Sequence, residues 1–208
     1  MVVHPRHGAI VGLMLLLGAC ATAPPGSTTT ASPPSTATSA PTQTPQGTPS
    51  TASPAAPMMV TLYFGNSVLN PGSIDCATVY GVHRTVPASA DALTAAMREL
   101  LAGPTPAEAK QGFWSWFSPA TADSLISATA SDTTSYVNLT DLRTIIPNAS
   151  SSCGSAALLA QLGMTAQQAG MTPRVLYAIE GKPKTFWEWL QLGCDKANDN
   201  CDPAPFAG

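Results

Sequence analysis

The chain has 208 residues, of which only 10% are charged, and 9 Lys and Arg against 12 Asp and Glu give a net charge of −3. This length allows one ordinary domain in addition to a leader or linker segment. The charged residues form no basic patch, which argues against nucleic acid as a partner.

The first 20 residues have the pattern of an export signal. A weakly basic start around Arg6 precedes an apolar run at 9–17, which is too short for a membrane span of about 20 residues. The run ends in Leu-Gly-Ala-Cys at 17–20, which resembles the lipobox of bacterial lipoproteins. This resemblance implies that 1–19 is a signal peptide and that Cys20 is lipidated, with a diacylglyceryl group as a firm anchor. An ordinary signal peptide with a chance cysteine is the alternative.

A neutral segment follows the lipobox. Of the 37 residues at 21–57, 25 are Ser, Thr or Pro, and none is charged. Such a segment has little apolar surface to bury, so we expect a disordered tether over 20–57. Its hydroxyls are compatible with O-linked sugar, as in mucin-like stalks. A domain at 58–184 and an aromatic C-terminal tail at 185–208 complete the expected organisation.

Four cysteines remain after the lipobox: Cys76, Cys153, Cys194 and Cys201. An even number in an exported chain predicts two disulfides, for which three connectivities are open. We favour Cys194 with Cys201, which closes a small polar loop, and Cys76 with Cys153.

No metal ion or other cofactor is predicted. The chain has no Cys-x-x-Cys pair, and His83 is the only histidine after the leader, which argues against zinc. The polar loop at 195–200 is rich in oxygen ligands, but it lacks the glycine and the closing glutamate of a calcium loop. No glycine-rich phosphate loop follows a predicted strand.

The first half of the domain begins with two strands, predicted over 60–64 and 79–86 from β-branched and aromatic residues. Leu and Met at helical spacing then predict a helix over 93–101. Ser89 is its expected N-cap, and Asp91 lies in the expected first turn.

A capping box predicts a second, short helix. Thr105 is the expected N-cap, Pro106 occupies the first helical position and Glu108 the third. Gly112 marks the limit of this helix.

The second half of the domain predicts a hairpin, a helix and a closing strand. The hairpin strands lie at 125–130 and 135–139, the helix around 156–162, and the last strand at 174–180. Because strands and helices alternate irregularly, the predicted class is α+β, with a mixed sheet and two main helices in a single small domain.

In this order the motifs resemble the GerMN family, found in sporulation and spore germination proteins and in actinobacterial envelope lipoproteins. The resemblance covers about 60–182 and is carried by the opening strand, by 82–87 and above all by 96–108. It implies a small non-catalytic domain for protein assembly or cell-envelope contact, without catalytic residues to transfer. The chain departs from the family pattern in its aromatic residues at 114–117 and after residue 184.

The four tryptophans occur in two pairs, Trp114 with Trp116 and Trp187 with Trp189. On a strand, residues two apart face the same side, so each pair is a candidate platform for sugar rings or for a protein partner. The alternative is that the indole rings fill a core that is otherwise poor in aromatic residues. For the second pair, a docking tail is also compatible with the sequence.

These features together predict a lipoprotein held through Cys20 at the extracytoplasmic face of the cell membrane. Its domain is expected to act by binding in cell-envelope or sporulation-type assembly, with envelope proteins or peptidoglycan as partners. The alternatives are an envelope ligand- or glycan-binding lipoprotein and a cell-wall hydrolase. A hydrolase would need a nucleophile with a base, paired carboxylates or a metal, whereas His83 lies in a predicted strand and the acidic residues are scattered. We therefore do not expect an enzyme.

Overall fold

The structure is a computed structural model that describes residues 56–87, 91–194 and 200–207. The predicted leader, Cys20, the tether as far as residue 55 and most of the polar loop lie outside the described residues. The described residues form six strands and four α-helices.

The first strand lies at the centre of an antiparallel sheet. Strand β1 (Met58–Asn66) pairs with β2 (Tyr80–Val86) on one side and with β3 (Phe113–Trp114) on the other. The two strands predicted for this region are confirmed. Alternation along β1 points every second side chain inward, and Leu62 and Phe64 are completely buried.

The second sheet contains both antiparallel and parallel pairs. Strands β4 (Leu125–Ala130) and β5 (Thr134–Leu139) form the predicted hairpin. Strand β6 (Arg174–Ile179) is the predicted closing strand, and it pairs parallel to β5. A parallel pair needs a long crossover, which helix α3 (Ser152–Gly170) provides.

Helix α1 (Ala92–Leu101) begins one residue after Asp91, whose side chain accepts a hydrogen bond from the Thr94 amide. Asp91 is therefore the N-cap, not a first-turn residue, which corrects the expectation that Ser89 caps this helix. Ser89 itself lies outside the described residues. No serine cap is required here, because the Asp91 side chain already accepts a hydrogen bond from a free amide at the helix start.

Helix α2 (Pro106–Lys110) has the predicted capping box. The Thr105 hydroxyl accepts from the Glu108 amide, and the Glu108 carboxylate accepts from the Thr105 amide. Two of the free amides at the helix start are thereby satisfied by a sequence pattern of four residues.

The last helix, α4 (Pro183–Trp189), was not predicted, and α3 is much longer than the helix expected around 156–162. The α4 residue Phe186 is completely buried, and Leu190 just after the helix is 1% exposed. Phe206 packs on the other side of the second sheet against Tyr136. The aromatic segment after residue 184 thus packs on the same domain.

The predicted α+β class is confirmed, with the strands divided between two three-stranded sheets. The main core contains the inner side of β1, the inward sides of α1 and α3, and side chains of the second sheet. Within the described residues, no helix combines the length and the apolar character that a membrane span requires.

Candidate functional site

Two disulfides cross-link the domain, in the pairing favoured from the sequence. Cys76 in the loop between β1 and β2 is bonded to Cys153 at the start of α3, with their Cα atoms 5.3 Å apart. Cys194 is bonded to Cys201, with Cα atoms 5.6 Å apart, and this bond closes the polar loop. In the described part of the chain, no group of three or more His, Cys, Asp or Glu side chains is placed to hold a metal ion.

The first tryptophan pair does not share a face. Trp114 ends β3, and the strand does not continue to Trp116. Trp116 packs against the main core, and among the described polar atoms its indole Nε1 is buried without a hydrogen-bond partner. Trp114 is half-buried, lies outside the main core and covers Gly65 of β1. Only Trp114 therefore remains available as a platform in this pair.

The second pair lies on helix α4, where residues two apart are rotated by about 200° around the axis. The shared face expected for a strand therefore does not form. Trp187 contacts Phe186 edge to face and donates its indole N–H to the Asn200 carbonyl at 3.0 Å. Trp189 also contacts Phe186, with ring centroids 6.1 Å apart. Both rings are half-buried against the core and hold α4 in place.

A largely buried arginine joins residues of the 82–87 and 96–108 motifs into one cluster. The Arg84 guanidinium on β2 contacts Glu108 at 2.5 Å and Glu99 at 3.0 Å, and it donates to the Gly103 carbonyl at 2.8 Å. It also lies 5.6 Å from the centre of the Phe64 ring. Because these contacts tie β2 to α1 and α2, the cluster has a structural role.

The electrostatics of this cluster favour the charged forms. Burial opposes ionisation of the Glu108 carboxyl, but hydrogen bonds from Arg84 and Thr105 outweigh burial and lower its pKa. Burial likewise opposes the charge on Arg84, and its two carboxylate partners raise its pKa. Opposite charges held this close favour each other's ionised state. The cluster is thus a satisfied ion-pair network at neutral pH.

His83, the residue considered as a catalytic base, lies on the other face of the same sheet. Its Nδ1 is 3.0 Å from the Thr61 hydroxyl oxygen, and the residue is exposed. Neighbouring Arg84 points to the opposite side, since adjacent residues of a strand alternate. The imidazole is therefore positioned by a hydroxyl on an open sheet surface.

An uncharged face runs along the outer side of α3 and lines two adjoining cavities of about 330 and 390 Å³. The two cavities share Ala156 and Leu159. None of the described side chains that line them is charged. We call this surface the α3 face, and its residues are Ala156, Leu159, Ala160, Gly163, Met164 and Gln167.

Exposed apolar side chains border the α3 face. Met164 is 42% exposed on the helix itself, and Leu192 is 55% exposed beside the first cavity. Ile74 is 91% exposed, two residues before Cys76 in the loop that the first disulfide holds to α3. Large apolar side chains in such numbers around one uncharged surface are typical of interaction sites.

The α3 face has a signal in the sequence, which is the absence of charged residues from the helix. Helix α3 has no Asp, Glu, Lys or Arg in its 19 residues. A surface helix normally carries charged residues on its outer side. The missing charges, together with small residues at Ala156, Ala160 and Gly163, mark the outer side of this helix as unusual.

Comparison with known proteins gives one match. A family model named Germane, described as sporulation and spore germination, matches residues 61–185, which is 125 of the 208 residues. No curated protein and no solved structure matches the chain. The matched range contains the Arg84 cluster and the α3 face.

Proposed function

Because the chain belongs to the Germane family of sporulation and spore germination domains, we propose that it is a membrane-anchored extracytoplasmic lipoprotein that binds another envelope protein during assembly. The proposed role is of the sporulation or germination type. The Germane family is not known for catalysis, which supports a binding role.

The lipobox-like residues 17–20 support the anchor. They directly follow an apolar run, and the other four cysteines are bonded to one another. The neutral, Ser-, Thr- and Pro-rich segment after Cys20 suits a spacer between a membrane and a domain. Two disulfides in the domain fit an oxidising compartment outside the cytoplasm.

The α3 face is the main structural support for the proposed binding role. Covering the exposed parts of Met164 and Leu192 would remove apolar surface from water, which contributes about 25 cal/mol for each Å² buried. The small residues Ala156 and Ala160 allow another backbone to approach α3 closely.

The uncharged lining of the α3 face favours an apolar, uncharged helix as its ligand. A charged side chain placed against the described lining residues would lose water without gaining an opposite charge. The face follows the axis of α3 between two bordering segments, a shape that suits a helix laid into a groove. We therefore propose that the partner presents such a helix.

The experiment places a photo-crosslinking residue at Met164 in the full-length chain within its native membrane. A matched control places the same residue at Ile126 on β4, which is 50% exposed and is not part of the α3 face. We expect an adduct at position 164 that maps by mass spectrometry to an uncharged helix of an envelope protein, and at least about a tenfold loss of this adduct with Ala160→Glu. Equal adducts at both positions, or adducts with lipid and sugar alone, would contradict the proposal.

The anchor has its own test. We expect Cys20→Ser to move the protein from the membrane fraction to the soluble extracytoplasmic fraction, whereas Ala21→Ser leaves it at the membrane. Retention of the Cys20→Ser protein in the membrane fraction would exclude lipidation at this residue as the anchor.

A further inference from the structure

The open face of the first sheet carries a second surface of different character. Along β1 the inward residues include Leu62 and Phe64, so Thr61 and Tyr63 project from the opposite side. On β2 the exposed residues of the same side include His83, which pairs across from Thr61. We call this surface the sheet face, and its residues are Met59, Thr61, Tyr63, Gly81, His83, Thr85 and Trp114.

One glycine lets an aromatic ring lie directly on the backbone of this sheet, and a second glycine lies beside another ring. A Cβ at Gly65 would overlap the Trp114 indole, so the indole occupies the place of a side chain. A Cβ at Gly81 would lie 3.7 Å from Cε1 of the Tyr63 ring. Within the described residues, neither Trp114 nor Tyr63 belongs to the main core, and both are half-buried. Each ring is thus supported from below by the sheet while part of its surface meets water.

The arrangement of the rings suits an extended ligand. Trp114 is paired with Gly65, and Tyr63 precedes Gly65 by two residues, so the two aromatic residues are diagonal neighbours about 7–8 Å apart at their Cα atoms. Trp114 on β3 covers Gly65 of β1, and Tyr63 on β1 is paired with Gly81 of β2. The rings therefore follow one another across the sheet.

The polar side chains beside the rings supply a hydroxyl and an imidazole as hydrogen-bonding groups. The Thr61 hydroxyl and the His83 imidazole are 3.0 Å apart and lie next to Tyr63 on the sheet face. The face contains no Asp, Glu, Lys or Arg. Flat rings next to hydroxyl and imidazole groups fit a ligand with alternating C–H surfaces and hydroxyls, which is the character of a pyranose sugar.

We propose that the sheet face binds a glycan strand of uncharged pyranose units, with the C–H surfaces of the sugars packed on Trp114 and Tyr63 and their hydroxyls bonded to Thr61 and His83. This site is separate from the α3 face and does not depend on the protein partner proposed above. A strongly apolar helix fits this surface less well, because its polar groups would remain without partners.

The test uses the full-length chain with Cys20→Ser, so that no acyl group interferes, and titrates it with tetra-N-acetylchitotetraose, an uncharged oligosaccharide. We expect saturable binding that Trp114→Ala and Tyr63→Ala each weaken by about tenfold or more, which is the size of the effect when a flat ring loses an aromatic stacking partner. Trp114→Phe keeps an aromatic ring and should retain most of the binding. Melting temperatures of all variants separate lost binding from lost folding.

Tyr80→Ala is the matched control. Tyr80 is also a half-buried tyrosine, but it precedes Gly81 by one residue and pairs with Phe64, so it projects from the other side of the sheet. We expect unchanged sugar binding for this variant. The proposal is wrong if the chain fails to bind this oligosaccharide and also fails to sediment with purified peptidoglycan sacculi. It is equally wrong if Tyr63→Ala and Trp114→Ala leave sugar binding unchanged, because the sugar then does not pack on these rings.

Discussion

At the scale of single residues, Arg84 connects β2 to both α1 and α2. Its side chain is 12% exposed, and that of its partner Glu108 is 13% exposed, so both charges depend on each other for compensation. A buried ion pair adds little net stability compared with an apolar pair, but removal of one partner leaves the other charge uncompensated. The effect of a substitution here should therefore be much larger than for a surface pair.

We predict that Arg84→Ala lowers the free energy of unfolding by about 3 kcal/mol, because Glu108 and the Gly103 carbonyl both lose their partner. Urea unfolding followed by circular dichroism measures this change. Arg143→Ala is the control, since Arg143 is 51% exposed in its pair with Asp141 and water screens that interaction. An unfolding midpoint that shifts equally in both variants would show that the Arg84 cluster has no special role.

At the scale of elements, the end of α1 depends on a close approach between two backbone segments. Gly103 has a φ of +78°, and a Cβ there would overlap the backbone oxygen of Phe117. The family-like sequence Leu-Ala-Gly-Pro-Thr therefore ends one helix, brings the chain against the segment after β3, and starts the next helix. Glycine is required at this point by space as well as by conformation.

We predict that Gly103→Ala destabilises the domain by about 3 kcal/mol, because a left-handed conformation and a steric overlap act together. The matched control is Gly72→Ala, where φ is +75° but no atom lies within 4 Å of the added Cβ. That variant should lose only about 1 kcal/mol, which is the conformational cost alone. Chemical unfolding of the two variants side by side distinguishes the effects, and equal losses would contradict the steric argument.

The sequence predicted those elements whose signals are local. The capping box at Thr105 and Glu108 and the β4–β5 hairpin need only neighbouring residues, and both are present. Helix α4 was missed because alternating tryptophans imitate a strand, and because its N-cap Lys182 makes no side-chain capping bond. Helix α3 was predicted too short, since its uncharged outer side has none of the polar contrast that defines an amphipathic helix.

The candidate surfaces were only partly predictable, because they depend on contacts between residues that are distant in the sequence. Trp114 was singled out from its spacing, but its partner on the sheet face is Tyr63, which lies 51 positions earlier in the chain. Strand pairing through Gly65 brings them together, and spacing along the sequence contains no information on that register. The α3 face likewise depends on which side of the helix the core covers.

At the scale of the whole molecule, the two disulfides close loops of very different length. Cys76 and Cys153 are 77 positions apart and link the first sheet's loop to α3, whereas Cys194 and Cys201 are 7 positions apart. A cross-link that closes a longer loop removes more conformational freedom from the unfolded chain. The first disulfide also holds the loop that borders the α3 face.

We predict that replacing Cys76 and Cys153 together by alanine lowers the free energy of unfolding by about 4.5 kcal/mol, and that replacing Cys194 and Cys201 lowers it by about 2.5 kcal/mol. Unfolding in guanidinium chloride measures both double variants against the parent chain. The same loss in the two variants would mean that loop length does not determine their contributions.

The position of β1 also has a mechanical consequence. Residue 57 leads directly into this strand, so a force that enters from the amino-terminal side reaches the centre of the first sheet before any other element. Seven residue pairs join β1 to β2, and a pull along the strand is shared among them. We therefore expect a domain that is held by a bound partner and pulled from its amino end along β1 to unfold slowly. The rupture force in single-molecule pulling would depend on where the other end is held.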